Sequence, residues 1–275
     1  PGAIVLVMAA YGWRESFFIC GAISLVWVAL WWLTFTEHPK DHPRITADEL
    51  RALPPPVTPA QGLPWGRLFV HMLPVTIVYF CYGWTLWLFL SWIPQYFLHG
   101  FQLDLKKSAV FASSVFLAGV IGDTLGGVVT DRILARTGNL RLARSYMVAV
   151  CMGLTLLSML PMMLSHNLTL SVICLSAGFF FSEMTIGPMW AIPLDIAARY
   201  AGTASGMMNT GSALAAIVSP IIGGWLIDIT GNWNVPFAGS MALMALGVIL
   251  AVRMQPGGKF EPATPLAAAA VPEPG

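Results

Sequence analysis

The sequence predicts an all-α, polytopic membrane protein. Three observations carry this. Of 275 residues, 57 % are hydrophobic and only 10 % are charged, with mean hydropathy +0.73; a soluble domain carries about 25 % charged residues. The apolar residues fall into runs of about twenty, one bilayer thickness each. Charge is confined to the links between runs, most clearly in GVIGDTLGGVVTDRILARTGNLRLAR (119–144), where Gly119, Gly122, Gly126 and Gly127 give way to Asp131, Arg132, Arg136, Arg141 and Arg144. We read two spans joined by a short basic loop, with the glycines letting the first span approach a neighbour closely.

In chain order, Ile4–Tyr11 reads as the tail of a truncated helix, because the chain opens on Pro1 with no charged region ahead of the apolar residues. The expectation is that it starts partway through a longer protein. GWRES (12–16) is a polar turn, and Phe17–Phe35 is a full span with Trp27, Trp31 and Trp32 near an interface. Thr36–Arg67 is Pro-rich and charged, an exposed connector with a short helix at Thr46–Leu53 opened by a Thr–Glu capping box. His38 and His42 lie in that connector between prolines with no third ligand nearby, so no metal or cofactor is expected.

The later spans are Leu68–Leu98, broken or bent by Pro74; Ala109–Thr130; Ser145–Leu164; Leu168–Ile192; Thr203–Ile227; and Val235–Val252. The tail from Gln255 is Pro/Ala-rich and is expected to be disordered. Asn167-Leu168-Thr169 matches a glycosylation sequon, but a turn this short fits a chance match better. The four cysteines sit singly inside apolar runs and read as packing residues. Eleven of the fourteen Lys and Arg fall on one side of these spans, leaving Arg14, Lys106 and Lys107 on the other. The bias puts the connector, the arginine loop and the C-terminus in the cytoplasm. A net charge of +1 without a basic stripe gives no reason to expect nucleic acid.

Some residues are costly where they stand. Glu183 lies in an apolar span, where a carboxylate costs roughly 2.5 kcal/mol or more. Gly187 and Trp190 follow it at helical spacing, predicting one face with a carboxylate, an open patch and an aromatic wall. Pro188 between them implies a kink. This suits an ion or substrate path; the plainer reading is a protonated Glu bonded to a neighbouring helix. Asp123, about two turns into its span, also needs a partner. Gly202, Ser205, Asn209, Ser212 and Ala216 form a small-and-polar stripe, with Asn209 facing a pore or gluing helices. Gly202 and Gly206 make a GxxxG pair for close packing. Tyr82 and Trp87, at mid-helix, either stack on a ligand or pack in the core. Asp131, Arg132 and Arg136 form an interfacial charge cluster able to latch one helix bundle to another. No Ser/His/Asp set, HExxH, Walker loop or GxGxxG is present.

These residues carry a resemblance. GGVVTDR (126–132) with Arg136 resembles the cytoplasmic-loop motif of the major facilitator superfamily, in its copy between the eighth and ninth helices; Leu134 stands where that motif has a glycine. EMTIGPMWAIPLDIAARYAGTASGMMN (183–209), with SALAAIVSPIIGG (212–224), resembles helices ten and eleven of the anion:cation symporter branch, which holds hexuronate, galactonate, glucarate, phthalate and sialin-type carriers. FCYGWTLWLFLSWIPQYF (80–97) resembles its seventh helix, and GWRESFFICG with EHPKDHPRIT its sixth helix and central loop.

The resemblance implies the C-terminal six-helix half of such a fold plus the preceding helix and a helix fragment. The end of the N-terminal bundle would be 1–35, the cytoplasmic connector 36–67, the C-terminal bundle 68–254 and the tail 255–275. It implies a secondary transporter in a bacterial inner membrane, moving a sugar acid or aromatic carboxylate by proton symport with alternating access. Trp190 and Asn209 match cavity-lining positions, Asp131, Arg132 and Arg136 match the gate, and Glu183 matches a recurrent glutamate of unassigned role. The family's carboxylate-binding arginine and main proton-coupling acids lie in the missing N-terminal half of the same protein. Two readings of other classes compete: a membrane-embedded enzyme on lipid-linked substrates, which needs Asp123 and Glu183 to meet, and a non-transporting receptor or structural subunit.

Overall fold

A computed structural model describes residues 2–53 and 62–260, without the side chains of residues 2 and 3. All regular structure among the described residues is helical. The chain divides into two compact units, Pro1–Thr58 and Pro59–Gly275.

In the first unit, α1 (Gly2–Tyr11) meets α2 (Trp13–Thr34) at Gly12, whose φ of 97° lies in the left-handed region that glycine tolerates. From Phe17 to Thr34, α2 is exposed at every position despite its apolar sequence. Further on, α3 (Ala47–Ala52) is opened by the capping box read from the sequence: Thr46 Oγ1 accepts the Glu49 amide, and Glu49 accepts the Thr46 amide at 2.9 Å. His42 turns its Nδ1 to the Arg44 amide.

The second unit is a helical bundle. Its elements are α4 (Trp65–Gln95), α5 (Leu105–Thr137), α6 (Met147–Leu164), α7 (Leu168–Glu183), α8 (Ile186–Ala197), α9 (Ala201–Thr230) and α10 (Asn234–Arg253). α4 packs along α9, α5 along α7, α6 against α7, and α10 against α4 and α6. Two apolar cores fill the interior, one around Leu68, Met72, Met152, Met189 and Met208, the other around Phe89, Phe97, Phe179 and Phe237.

Six helical stretches among the described residues are long and apolar enough to cross a membrane. One of them, Leu168–Thr230, has 63 residues, about three times what a bilayer core needs. It turns at Ala198–Tyr200, flanked by the non-helical backbone of Ala197, and α9 packs back against α8. Seven spans therefore match the sequence reading.

Several boundaries and contacts differ from expectation. α4 runs unbroken through Pro74. The arginine-rich loop is a two-residue turn, because α5 continues to Thr137 before Gly138 ends it at φ 63°. Asn139 and Asn167 are used locally, each accepting an amide three residues on, at 3.1 and 3.0 Å. The tail is ordered to Phe260, whose amide reaches the Ile196 carbonyl at 2.8 Å; residues 261–275 lie outside the described residues. The glycines of α5 act as expected. A methyl on Gly122 or Gly126 would strike the carbonyl of Phe180 or Met184, so α5 and α7 touch backbone to backbone. The Gly202–Gly206 pair does not pack among the described residues: nothing described lies within 4 Å of either added Cβ, and α9 approaches α4 through Gly211 instead.

Candidate functional site

The apolar span predicted over Leu168–Ile192 is two helices, parted at Met184–Thr185 where the intrahelical pattern lapses. Glu183 is the last residue of α7, so the break presents its carboxylate to α4 and α5. Tyr82 Oη donates to Glu183 Oε1 at 3.0 Å. Tyr79, three residues earlier on α4, stacks on Tyr82 with centroids 5.2 Å apart, and its hydroxyl accepts from Trp190 Nε1 at 2.9 Å. The result is a continuous relay: Glu183, Tyr82, Tyr79, Trp190. Glu183 is buried, Tyr82 is fully buried, and Trp190 is 39 % exposed. The relay thus joins an interior acid to a half-open indole. No lysine or arginine pairs with Glu183 among the described residues.

This corrects two expectations. Gly187 is not an open patch beside Glu183; its face lies against Gly127, with an added Cβ only 2.7 Å from the Gly127 nitrogen. Tyr82 does not line a cavity, because burial takes its whole ring and Glu183 takes its hydroxyl. Tyr79 was missed. Its spacing from Tyr82 put it on the same face, but only the α8 contact shows what it holds.

Room for Glu183 comes from Gly119 on α5, whose added Cβ would stand 3.0 Å from Glu183 Cγ. Asp123, one turn further along α5, is exposed and makes no hydrogen bond to Glu183. Its expected intramembrane partner is therefore absent among the described residues, and the paired-acid arrangement that an enzyme would need is not formed.

The α9 stripe splits. Ser212 is buried and accepts from Trp87 Nε1 at 3.1 Å, opposite Gly83, so Trp87 spends its polar atom on helix packing. Asn209 is exposed, with no side-chain hydrogen bond among the described residues. Among the described residues it glues no helices together.

At the α5–α6 turn the charge cluster has a different centre. Arg144, 5 % exposed, donates from Nε to Asp195 Oδ2 at 2.8 Å and from Nη1 to Thr130 Oγ1 at 3.0 Å. Asp131 Oδ1 lies 3.7 Å from the same guanidinium. Arg132 and Arg136 are exposed and form no ion pair among the described residues. The expected Asp131–Arg132–Arg136 grouping is thus an Arg144–Asp195 pair with Asp131 at its edge, because consecutive α5 positions point in different directions. The available signal was Asp195, a lone carboxylate near one end of an apolar helix, facing a loop rich in arginine.

Residues 1–220 match the Major Facilitator Superfamily. The chain is 44 % identical over 261 residues, 93 % of its length, to the probable sulfoacetate transporter SauU of Cupriavidus necator. It is 30 % identical over 257 residues, 86 % of its length, to the probable galactarate/D-glucarate transporter GarP of Escherichia coli K12. It is 24 % identical over 253 residues, 89 % of its length, to the chloroplastic ascorbate transporter of Arabidopsis thaliana. It spans only 61, 57 and 46 % of those three proteins. With the family match over most of its length and several apolar helices of spanning length, this chain is a multi-pass, all-α membrane protein belonging to the Major Facilitator Superfamily.

Proposed function

We propose that this chain supplies the C-terminal six-helix half of a carrier for small organic anions in the anion:cation symporter branch. The carrier works by proton symport with alternating access in a bacterial inner membrane, its connector and C-terminus cytoplasmic. The single observation behind this is the Glu183–Tyr82–Tyr79–Trp190 relay, a buried carboxyl group linked by hydrogen bonds and stacking to a partly exposed indole. Intramembrane acids that face an interior and bond to one another or to neutral donors are the usual stations of proton-coupled transport.

In this reading Trp190 and Asn209 contact the substrate. Tyr79 orients the Trp190 ring, and Glu183 reports its protonation state to that ring through Tyr82. The Arg144–Asp195–Asp131 cluster holds the cytoplasmic end of the bundle rigid, while the exposed Arg132 and Arg136 reach for the other half. Names of the relatives support the substrate class: sulfoacetate, galactarate and D-glucarate are all small, strongly anionic molecules. The anion's counter-charge and further proton-coupling acids come from the N-terminal half, which pairs with this one around the central site.

The test uses the full-length parent in proteoliposomes loaded with a pH-sensitive dye. Sulfoacetate, galactarate, hexuronates, aldonates and aromatic carboxylates are added in turn. Internal acidification with one class establishes symport and names the substrate. Silence across the panel from folded protein rejects proton-coupled anion uptake.

A further inference from the structure

A cavity lies away from the relay, at the bundle end that carries Arg144. It holds about 1050 Å³ and is walled by the first turns of α4, the end of α8, the end of α10 and the tail. Among the described residues its charged lining is Arg67, Arg253 and Lys259, with His71 and Gln255 as further polar groups. The rest is apolar, including Val70, Pro74, Met254 and Phe260.

The cavity is built rather than left over. The tail segment 254–260 is pinned across it by His71 Nε2 to the Gly258 carbonyl at 2.9 Å, by Phe260 N to the Ile196 carbonyl, and by Ser145 Oγ to the Met254 carbonyl at 3.1 Å. Arg67 lies over the Phe260 ring at 5.9 Å. The pinned segment puts Lys259 and Arg253 in the lining of one cavity. Neither side chain has a hydrogen bond or ion pair among the described residues. Three positive charges lining one cavity attract an anion entering it. Basic pockets between membrane helices near an interface suit anionic head groups, and the apolar wall suits what a head group is attached to.

We propose that this pocket binds a phosphate-bearing anion, with Arg253 and Lys259 as the primary cations, Arg67 as a third, and the apolar wall accepting the adjoining glycerol and acyl carbons of a phospholipid. A membrane phospholipid and free phosphate share the recognised group.

The full-length parent in nonionic detergent is titrated with phosphatidylglycerol, with phosphatidylcholine and with inorganic phosphate, and bound molecules are counted by native mass spectrometry. Phosphatidylglycerol should be retained in preference to phosphatidylcholine. Each cation removed should weaken it roughly fivefold, and R253A/K259A together roughly 25-fold. F260A keeps every charge but releases the tail, and should also lose retention. R199A removes an exposed cation outside the pocket and should change nothing. Retention of inorganic phosphate without phosphatidylglycerol, lost in the same variants, assigns the site to a soluble anion. Equal retention by R253A/K259A, unchanged retention in F260A, equal loss in R199A, or no ligand retained overturns the proposal.

Discussion

The Tyr82 hydroxyl donates to Glu183 Oε1 across 3.0 Å, and Tyr82 is completely enclosed. This one contact joins α4 to the broken end of α7. Tyr82→Phe leaves a buried carboxyl without its donor, at a cost of about 1–3 kcal/mol in unfolding free energy. It should also move the pH midpoint of uptake. Tyr79→Phe instead loosens Trp190, and should raise KM while keeping the pH profile. Scanning calorimetry and pH-resolved uptake on both variants check this; identical pH midpoints in all three proteins would remove the Tyr82–Glu183 bond from proton coupling.

Asn209 is exposed, with no side-chain hydrogen bond among the described residues. Asn209→Ala should leave membrane expression and thermal stability within about 0.5 kcal/mol of the parent. Substrate uptake should weaken. Transport kinetics equal to the parent's would take Asn209 out of the site.

Arg144 and Arg132 should behave in opposite ways. Arg144→Ala strips the partner from a partly buried Asp195 and should cost about 3–5 kcal/mol. Arg132→Ala removes an exposed cation, should cost little, and should shift the balance between the two access states. Unfolding curves measure the first. Cysteine labelling from each side of the membrane measures the second, and an unchanged labelling pattern would deny Arg132 any part in the gate.

The two glycine motifs should also part company. Gly126→Ala drives a methyl into the Met184 backbone, which cannot move aside as a side chain can, for a cost of about 1–3 kcal/mol. Among the described residues, Gly206→Ala meets nothing. If Gly206→Ala destabilises the full-length parent as much as Gly126→Ala, its exposed face is a tight contact with the N-terminal half proposed above.

In the connector, Glu49 is held below its ordinary carboxyl range, chiefly by the Thr46 amide and then by the Thr46 hydroxyl. A depressed folded-state pKa means the cap contributes above the unfolded value and is lost as pH falls through the folded one. Exchange at the Glu49 amide should therefore quicken, relative to the intrinsic rate, on acidification through and below the usual Glu range. Thr46→Ala should flatten that dependence; an unaltered pH response in the variant would refute the cap as its cause.

The sequence by itself determined what depends on near neighbours. The spans follow from runs long enough to cross a bilayer. The α3 cap follows from Thr and Glu three residues apart, and the close approach along α5 from glycines at helical spacing. Tertiary structure decided which faces meet. Helical periodicity assigns residues to a face, but carries no information on what lies across from it. So Glu183 was legible as costly, while its partner Tyr82, 101 residues away, was not. Arg144 was one of several arginines until α8 brought Asp195 to it. Gly202–Gly206 and Gly211 lie on one helix, yet only Gly211 meets α4. The tail read as disordered from its composition, but Phe260 finds a backbone partner at Ile196 and an aromatic one at Tyr200, neither of them near it in the chain. In each case the deciding contact spans dozens of residues. Only the packing of α4 on α7 and α9, and of the α6 start and the tail on α8, supplies it.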